Sequence, residues 1–334
     1  TMDKETFLTK EKKLAKLILN SRKNNRLSSA YLFCGPRNAP LKECALYLAQ
    51  SLGCENSLLA CNECNSCKRF LKGIHPDFIL IDGEKKRIKK EDIQNLEEKF
   101  SQSAFENKHQ LCYVIHHIEN ITEKAANTIL KFLEEPKEGQ IAILTTTNPD
   151  KVLPTIRSRS LMVDVDPIDI DKMRESLESY PLEIEGKKKK EVIHLSSRHA
   201  YFLSKFFPSK EAALNELMSD NSFLTGFEMA EQFFEEYLVS RQRACFMILN
   251  QSSQKKGASC YNWMYLMMHD IFVSARLKQN SENHPFHEVI QALSLDLKHV
   301  EKADDVVKEA LSYAHVNYNP ILIGAKIAYS FIQE

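Results

Sequence analysis

Five short apolar runs, each followed by a stretch with helical periodicity, limit what this chain can fold into. They are Ala30-Tyr31-Leu32-Phe33-Cys34, Asp77 to Ile81, Leu111 to Ile115, Ile141 to Thr145 and Leu161 to Val163. Runs of this length without polar alternation are expected of strands buried on both faces, as in a parallel sheet. Helical patterns at 41–52, 90–102 and 122–135 supply the crossovers, and residues 10–22 form an amphipathic first helix. Alternating strands and helices predict a doubly covered α/β sheet with its ligand chemistry at the carboxyl ends of the strands. Strand signals stop near Pro167. Residues 169–207 read as two or three short helices broken by "YPLEIEGKKKK", and 210–334 reads as amphipathic helix throughout. Pro208 and Ser209 mark the boundary between the two by a helix stop and an N-cap.

At 334 residues the chain exceeds what one core sustains, so two or three domains are expected. Lysine plus arginine and aspartate plus glutamate both number 45, which leaves no global field for nucleic acid; such contacts need a local patch. The lysines Lys187–Lys190 read as a solvated loop or helix start, with a DNA contact as the alternative. No run is long enough to span a membrane, and the charged N-terminal segment is unlike a secretory signal, so a cytoplasmic location is expected. Nine cysteines should then be reduced or metal-bound.

The segment "FCGPRNAPLKE" begins like a phosphate-binding loop. A working loop reads G-x-x-x-x-G-K-[ST], with glycine amides around the phosphates, a lysine on the terminal phosphates and a hydroxyl on magnesium. Counted from Gly35, those last three positions hold Pro40, Leu41 and Lys42. Pro40 also removes a backbone donor. Only Lys42, reaching back from one position late, could rescue the charge. The third run ends in His116-His117 where active ATPases carry an acidic pair for magnesium and the attacking water. Neutral imidazoles perform neither task. A catalytic or zinc role for the pair, with Glu119 nearby, is the alternative; successive strand residues would point to opposite faces.

"GCENSLLACNECNSCK" places Cys54, Cys61, Cys64 and Cys67 at a spacing that turns four thiolates onto one tetrahedral ion. Four protein ligands close the site, so Zn2+ there is structural. Unrelated free thiols or a redox C-x-x-C are the alternatives, and the third and fourth cysteines favour the metal. Cys34, Cys44, Cys112, Cys245 and Cys260 read as small core residues.

The helix "AANTILKFLEEP", the segment "AILTTTNPDKVLPTIRSRS" and the frame "YLFCGPRNAPLKE" together resemble bacterial clamp-loader subunits of the AAA+ class. The likeness extends over residues 1 to about 205 and includes the cysteine insert; beyond, it rests on "VNYNPILIGAKIAYSF". The resemblance implies a P-loop NTPase-like (AAA+, RecA-like) α/β domain with a zinc insert over 1–167, a small helical lid over 168–207 and an all-α collar over 208–334. It implies partners too: gamma or tau motor subunits and a delta subunit in a five-subunit ring, with sliding clamp and primed DNA reached through that complex. Arg159 matches the arginine of the family's Ser-Arg-Cys motif, with Ser158 before it and Ser160 replacing the cysteine. In the family this is an arginine finger acting in trans on a neighbour's ATP. Arg157 competes for the role, and a surface arginine paired with Asp164 or Asp166 is the plainer alternative. Thr146 matches the phosphate-sensing position and Arg198 the lid arginine. The resemblance implies a non-catalytic component of the DNA polymerase III holoenzyme. A divergent ATPase or a zinc-containing DNA-binding module are the competing functions.

Overall fold

The computed structural model describes residues 4–332 except 85, 104–110, 179, 186–189, 255, 279–283 and 313–318. The chain divides into two compact units, Thr1–Ile168 and Asp169–Glu334.

In the first unit, α1 (Lys4–Lys10) and α2 (Lys12–Lys23) precede β1 (Ala30–Cys34), α3 (Leu41–Leu52) and α4 (Asn65–Leu71). There follow β2 (Phe78–Asp82), α5 (Lys90–Ser103), β3 (Leu111–His116), α6 (Glu123–Glu134), β4 (Gln140–Thr146), α7 (Pro154–Arg157) and β5 (Leu161–Asp164). All five predicted strands join one parallel sheet in the order β2-β3-β4-β1-β5. The three inner strands are buried at every residue, which is why they read as unbroken apolar runs. At the edge, Leu161 and Met162 of β5 are exposed.

Two apolar cores flank the sheet. One packs Tyr31, Phe33 and Val114 against α2, α3 and the cysteine insert. The other packs Leu32, Tyr113, Ile115 and Leu144 against α5, α6 and Ile156 of α7. Alternate side chains of each strand serve opposite cores, as the pleat requires. Helix α6 starts where Thr122 caps the amide of Ala125, and it buries Ala125, Ile129 and Leu133 along one stripe.

The second unit opens with α8 (Ile170–Leu177), then an antiparallel hairpin of β6 (Pro181–Glu185) and β7 (Lys190–His194), then α9 (Ser197–Phe206). The hairpin corrects the expectation that strands end near Pro167. Leu182 pairs with Ile193 and Ile184 with Glu191; the period-2 signal is short and lies between Pro181 and a lysine run, which obscured it. Residues 187–189 of the Lys187–Lys190 run lie outside the described residues, and Lys190 opens β7. The remainder is helical: α10 (Lys210–Ser219), α11 (Ser222–Val239), α12 (Arg241–Ser253), α13 (Ala258–Arg276), α14 (His287–Ser294), α15 (Leu297–Ser312) and α16 (Pro320–Ile332).

Close packing of α11 on α13 depends on Gly226. A Cβ there would lie 2.6 Å from both the Cys260 carbonyl oxygen and the Trp263 Cβ, neither at the end of a flexible chain. Gly226→Ala is therefore expected to destabilise the second unit by about 1–3 kcal/mol in urea denaturation despite the higher helix propensity of alanine.

Candidate functional site

The carboxyl ends of β1, β4, β3 and β2 bring together the residues that a nucleotide would meet. After β1 the chain turns at Gly35, where a Cβ would sit 2.7 Å from the Val165 carbonyl oxygen and 2.9 Å from the Ala39 Cβ. This glycine is required by backbone packing, independent of any phosphate. Three of the loop's amides are engaged within the fold. Gly35 N–H donates to the Thr146 carbonyl (3.3 Å), Ala39 N–H to Pro36 (2.9 Å) and Leu41 N–H to Ala39 (2.8 Å). Pro36 and Pro40 have no N–H to give. Leu41 stands at the position of the phosphate lysine and is 2% exposed, built into the core beneath α3. Lys42 turns away from the loop: its Nζ lies 2.5 Å from Oδ2 of Asp82, at the end of β2.

His116 and His117 depart from the strand geometry expected of them. His116 ends β3, but His117 adopts a left-handed backbone (φ 56°, ψ 58°), so the chain reverses and the ring centroids come within 4.3 Å. The two imidazoles do not lie on opposite faces. His116 Nδ1 is 2.7 Å from Thr145 Oγ1, and the amide of His117 donates to the same hydroxyl at 3.2 Å. His117 Nδ1 lies 3.1 Å from Glu119 Oε1, which also accepts from the amide and hydroxyl of Thr147 at 3.0 and 2.9 Å. This network ties the end of β3 to the end of β4, in the space an ATPase gives to magnesium and water. Burial, then the neighbouring His117, pushes the His116 pKa down to about 3, so its imidazole is neutral. Burial alone would raise Glu119; its bond with His117 and the Thr147 amide outweigh that and hold it at about 2. Asp82, Glu84 and His116 form a group whose ligating atoms lie within 4.8 Å of one another, with the Lys42 ammonium already seated on Asp82.

Thr146 is fully buried, and its hydroxyl accepts from the Asn148 amide at 3.0 Å. Arg159 follows α7 on the exposed side of the first unit. Its guanidinium donates to the Thr155 carbonyl (3.1 Å) and pairs with Glu134 at the end of α6 (2.8 Å), in place of the Asp164 or Asp166 suggested by proximity in sequence. Arg157 lies 3.6 Å from Asp150, and Ser160 Oγ donates to the Ile156 carbonyl. Within the second unit, Arg198 pairs with Glu231 (2.9 Å), donates to the Pro285 carbonyl and stacks 4.8 Å over the Phe286 ring.

Between α3 and α4, the sulfur atoms of Cys54, Cys61, Cys64 and Cys67 all lie within 4.8 Å of one another. Cys61 and Cys67 sulfurs are 4.0 Å apart, close to the roughly 3.8 Å that a tetrahedron with Zn–S bonds of 2.3 Å requires. The amides of Cys64 and Cys67 donate to the sulfurs of Cys61 and Cys64. Burial opposes ionisation of Cys54, yet backbone hydrogen bonds at Asn56, Cys61 and Ser57 bring it down to about 6; burial pushes Cys67 up to about 12. Four crowded thiols cannot all ionise without a cation among them. The donor set therefore fits Zn2+, which would tie the insert together. Of the other cysteines, Cys34, Cys44, Cys112 and Cys245 are buried and Cys260 half-buried.

Residues 10–169 match a family model described as DNA polymerase III, delta subunit. Delta' of DNA polymerase III from Bacillus subtilis (strain 168) is 41% identical over 157 residues, 47% of each chain. Over residues 10–169 the chain is thus similar to this family model and to delta'. The tau subunit of Escherichia coli (strain K12) is 33% identical over 155 residues, covering 46% of this chain and 24% of tau. Tau of B. subtilis is 36% identical over 155 residues, covering 45% and 27%. The chain thus aligns with half or less of the length of these relatives. The first unit is thus similar both to delta' and to tau.

Sequence reasoning did not find Glu134, Thr145, Thr147 or the Lys42–Asp82 pair. Glu134 sits inside the quoted "FLEEP" segment, but its partner is 25 positions away, by 159 − 134.

Two outcomes follow from these groups. The folded state keeps His116 neutral while the unfolded chain protonates near pH 6.5, so stability falls as pH drops from there towards 3. Glu119 adds stability that is complete above pH 4.5 and is lost as pH falls towards 2. His116→Gln should flatten the upper part of this loss, by up to about 1.4 kcal/mol per pH unit in urea titrations; an unchanged slope refutes the assignment. Chelation, or Cys67→Ser, should release one zinc per chain and lower the melting temperature of the first unit; metal-free protein of undiminished stability would refute a structural zinc.

Proposed function

We propose that this chain is a non-catalytic clamp-loader subunit of the bacterial DNA polymerase III holoenzyme, working as a delta-prime subunit in the cytoplasm. In this reading it turns over no ATP itself. It offers Arg159 as an arginine finger to a neighbouring gamma or tau motor subunit. The ring of motor, delta and delta-prime subunits then loads the sliding clamp on primed DNA.

The observation that carries the reading is the contrast between two surfaces of one domain. At the phosphate loop the amides of Gly35, Ala39 and Leu41 are engaged, Leu41 is buried and Lys42 is held by Asp82. These losses remove the electrostatic terms on which phosphoryl transfer depends. At the other surface, Arg159 is exposed and held only by Glu134 and local oxygens. An exposed ion pair of this kind is worth about 0–1 kcal/mol, so the guanidinium can leave Glu134 at little cost when a phosphate is offered. The guanidinium's planar charge suits it to a developing phosphoryl anion.

Division of the second unit into a lid over 168–207 and a collar over 208–334 belongs to the same proposal. Helices α12 and α16 pack together, with Phe246 and Leu249 of one and Ile321, Leu322 and Tyr329 of the other exposed. Such apolar surface suits a subunit interface in a ring.

Two measurements test the proposal. Isolated chain should bind no ATP with magnesium in equilibrium dialysis; micromolar affinity would overturn the reading of a dead nucleotide site. Arg159→Ala should leave ring assembly with motor and delta subunits intact while lowering ATPase of the complex by about 10³-fold at the neighbouring site, the scale of an arginine finger. Unchanged ATPase counts against the finger and leaves Arg157→Ala as the next variant.

A further inference from the structure

The cysteine insert presents a charged surface that neither the zinc nor the phosphate-loop reading uses. Helix α4 is fixed on one side by Cys64 and Cys67, with Cys64 capping its first turn, and by Phe70 packed 4.4 Å from Phe78. Its other side carries Lys68, Arg69 and Lys72, all exposed. With Glu55, Asn65 and Ile74 these residues line a concavity of about 490 Å³.

Three cations there are left without acidic partners. Lys68 and Lys72 are four apart and Arg69 and Lys72 three apart, spacings at which like charges on a helix repel. Among the described residues none of the three has an ion-pair partner, and Glu55 on the rim pairs with none of them. In a chain whose acids and bases balance at 45 each, this is a local excess of positive charge.

The end of α4 adds an apolar element. Gly73 at φ 70° closes the helix with Ile74 N–H donating to the Arg69 carbonyl and Gly73 N–H to Phe70. In such a turn the residue at the position of Ile74 usually packs back on the helix. Here it faces Arg69 in sequence register and is 64% exposed, with Leu71 nearby 46% exposed. An exposed aliphatic side chain that shares a concavity with three cations is suited to a ligand that is both acidic and apolar.

We propose that this concavity binds an acidic peptide segment of a partner protein, with an aliphatic side chain seated on Ile74 and carboxylates on Lys68, Arg69 and Lys72. Single-stranded nucleic acid fits less well. Its affinity draws on stacking against exposed aromatic rings, whereas Phe70 is packed against Phe78, and Glu55 would oppose a continuous phosphate track. The site stands independently of the ATP reading, because it involves neither Arg159 nor the phosphate loop.

The test is fluorescence anisotropy on the full chain with a labelled Glu-Asp-Ile-Glu-Asp-Ile-Glu-Asp peptide, with labelled oligothymidylate as the second probe. The peptide should bind, more weakly as salt rises, and the double variant Lys68→Glu/Lys72→Glu should weaken it about tenfold or more while retaining zinc. Ile74→Ala, which leaves the charges in place, should also weaken it, as should replacing both isoleucines of the peptide by alanine. If the double variant fails to fold, Ile74→Ala and the alanine peptide decide. Absence of peptide binding overturns the proposal, as does binding indifferent to Ile74. Tighter binding of oligothymidylate that the same variants abolish would make the surface a nucleic-acid contact and equally overturn it.

Discussion

Burial of β1, β3 and β4 on both faces is the constraint on which the rest of the first unit depends. Strands enclosed this way must be apolar throughout, and their polar demands move to their ends. There the backbone groups of the β1–α3 loop and of the His116–His117 turn need partners, because an unpaired buried amide costs on the order of 1–3 kcal/mol. An active ATPase leaves part of that demand to nucleotide and magnesium. In this chain groups of the fold itself take part of it: the Thr146 carbonyl takes the Gly35 amide, the Thr145 hydroxyl takes the His117 amide, and Lys42 supplies a positive charge to Asp82.

Packing duty differs among the residues singled out by sequence. At Gly35, Val165 and Ala39 leave no room for a side chain. Cys54, Cys61, Cys64 and Cys67 lie together as a set of four sulfurs that a structural metal would need. Arg159 has no comparable packing duty: its contacts are Glu134 and nearby oxygens, at the surface.

Much of this was legible in the linear sequence, for identifiable reasons. A strand buried on both faces writes itself as a continuous apolar run, so β1 to β5 could be placed closely. Cysteine spacing reports the cluster of four sulfurs directly, because the thiols of a small insert meet through local turns. The broken loop was legible because its motif is contiguous. What escaped depends on the path of the chain through space. The β6–β7 hairpin was hidden by the lysines at its turn. The left-handed backbone of His117 reversed a face assignment that a continuing strand would have justified. Glu134 reaches Arg159 across the unit, whereas Asp164 and Asp166 were merely near in sequence. The cations of α4 were visible in "CKRFLKGI", but their lack of ion-pair partners among the described residues is a fact of three dimensions.

Burial of Leu41 restricts what that position can hold. A lysine there would place an ammonium in the core with Ala39 and Val165, at a desolvation penalty of several kcal/mol unless the loop opened around it. Opening the loop would in turn break the amide bonds that close it. A lysine at position 41 would therefore need a different loop around it, and a single exchange at that position would yield a less stable protein rather than a cation facing solvent.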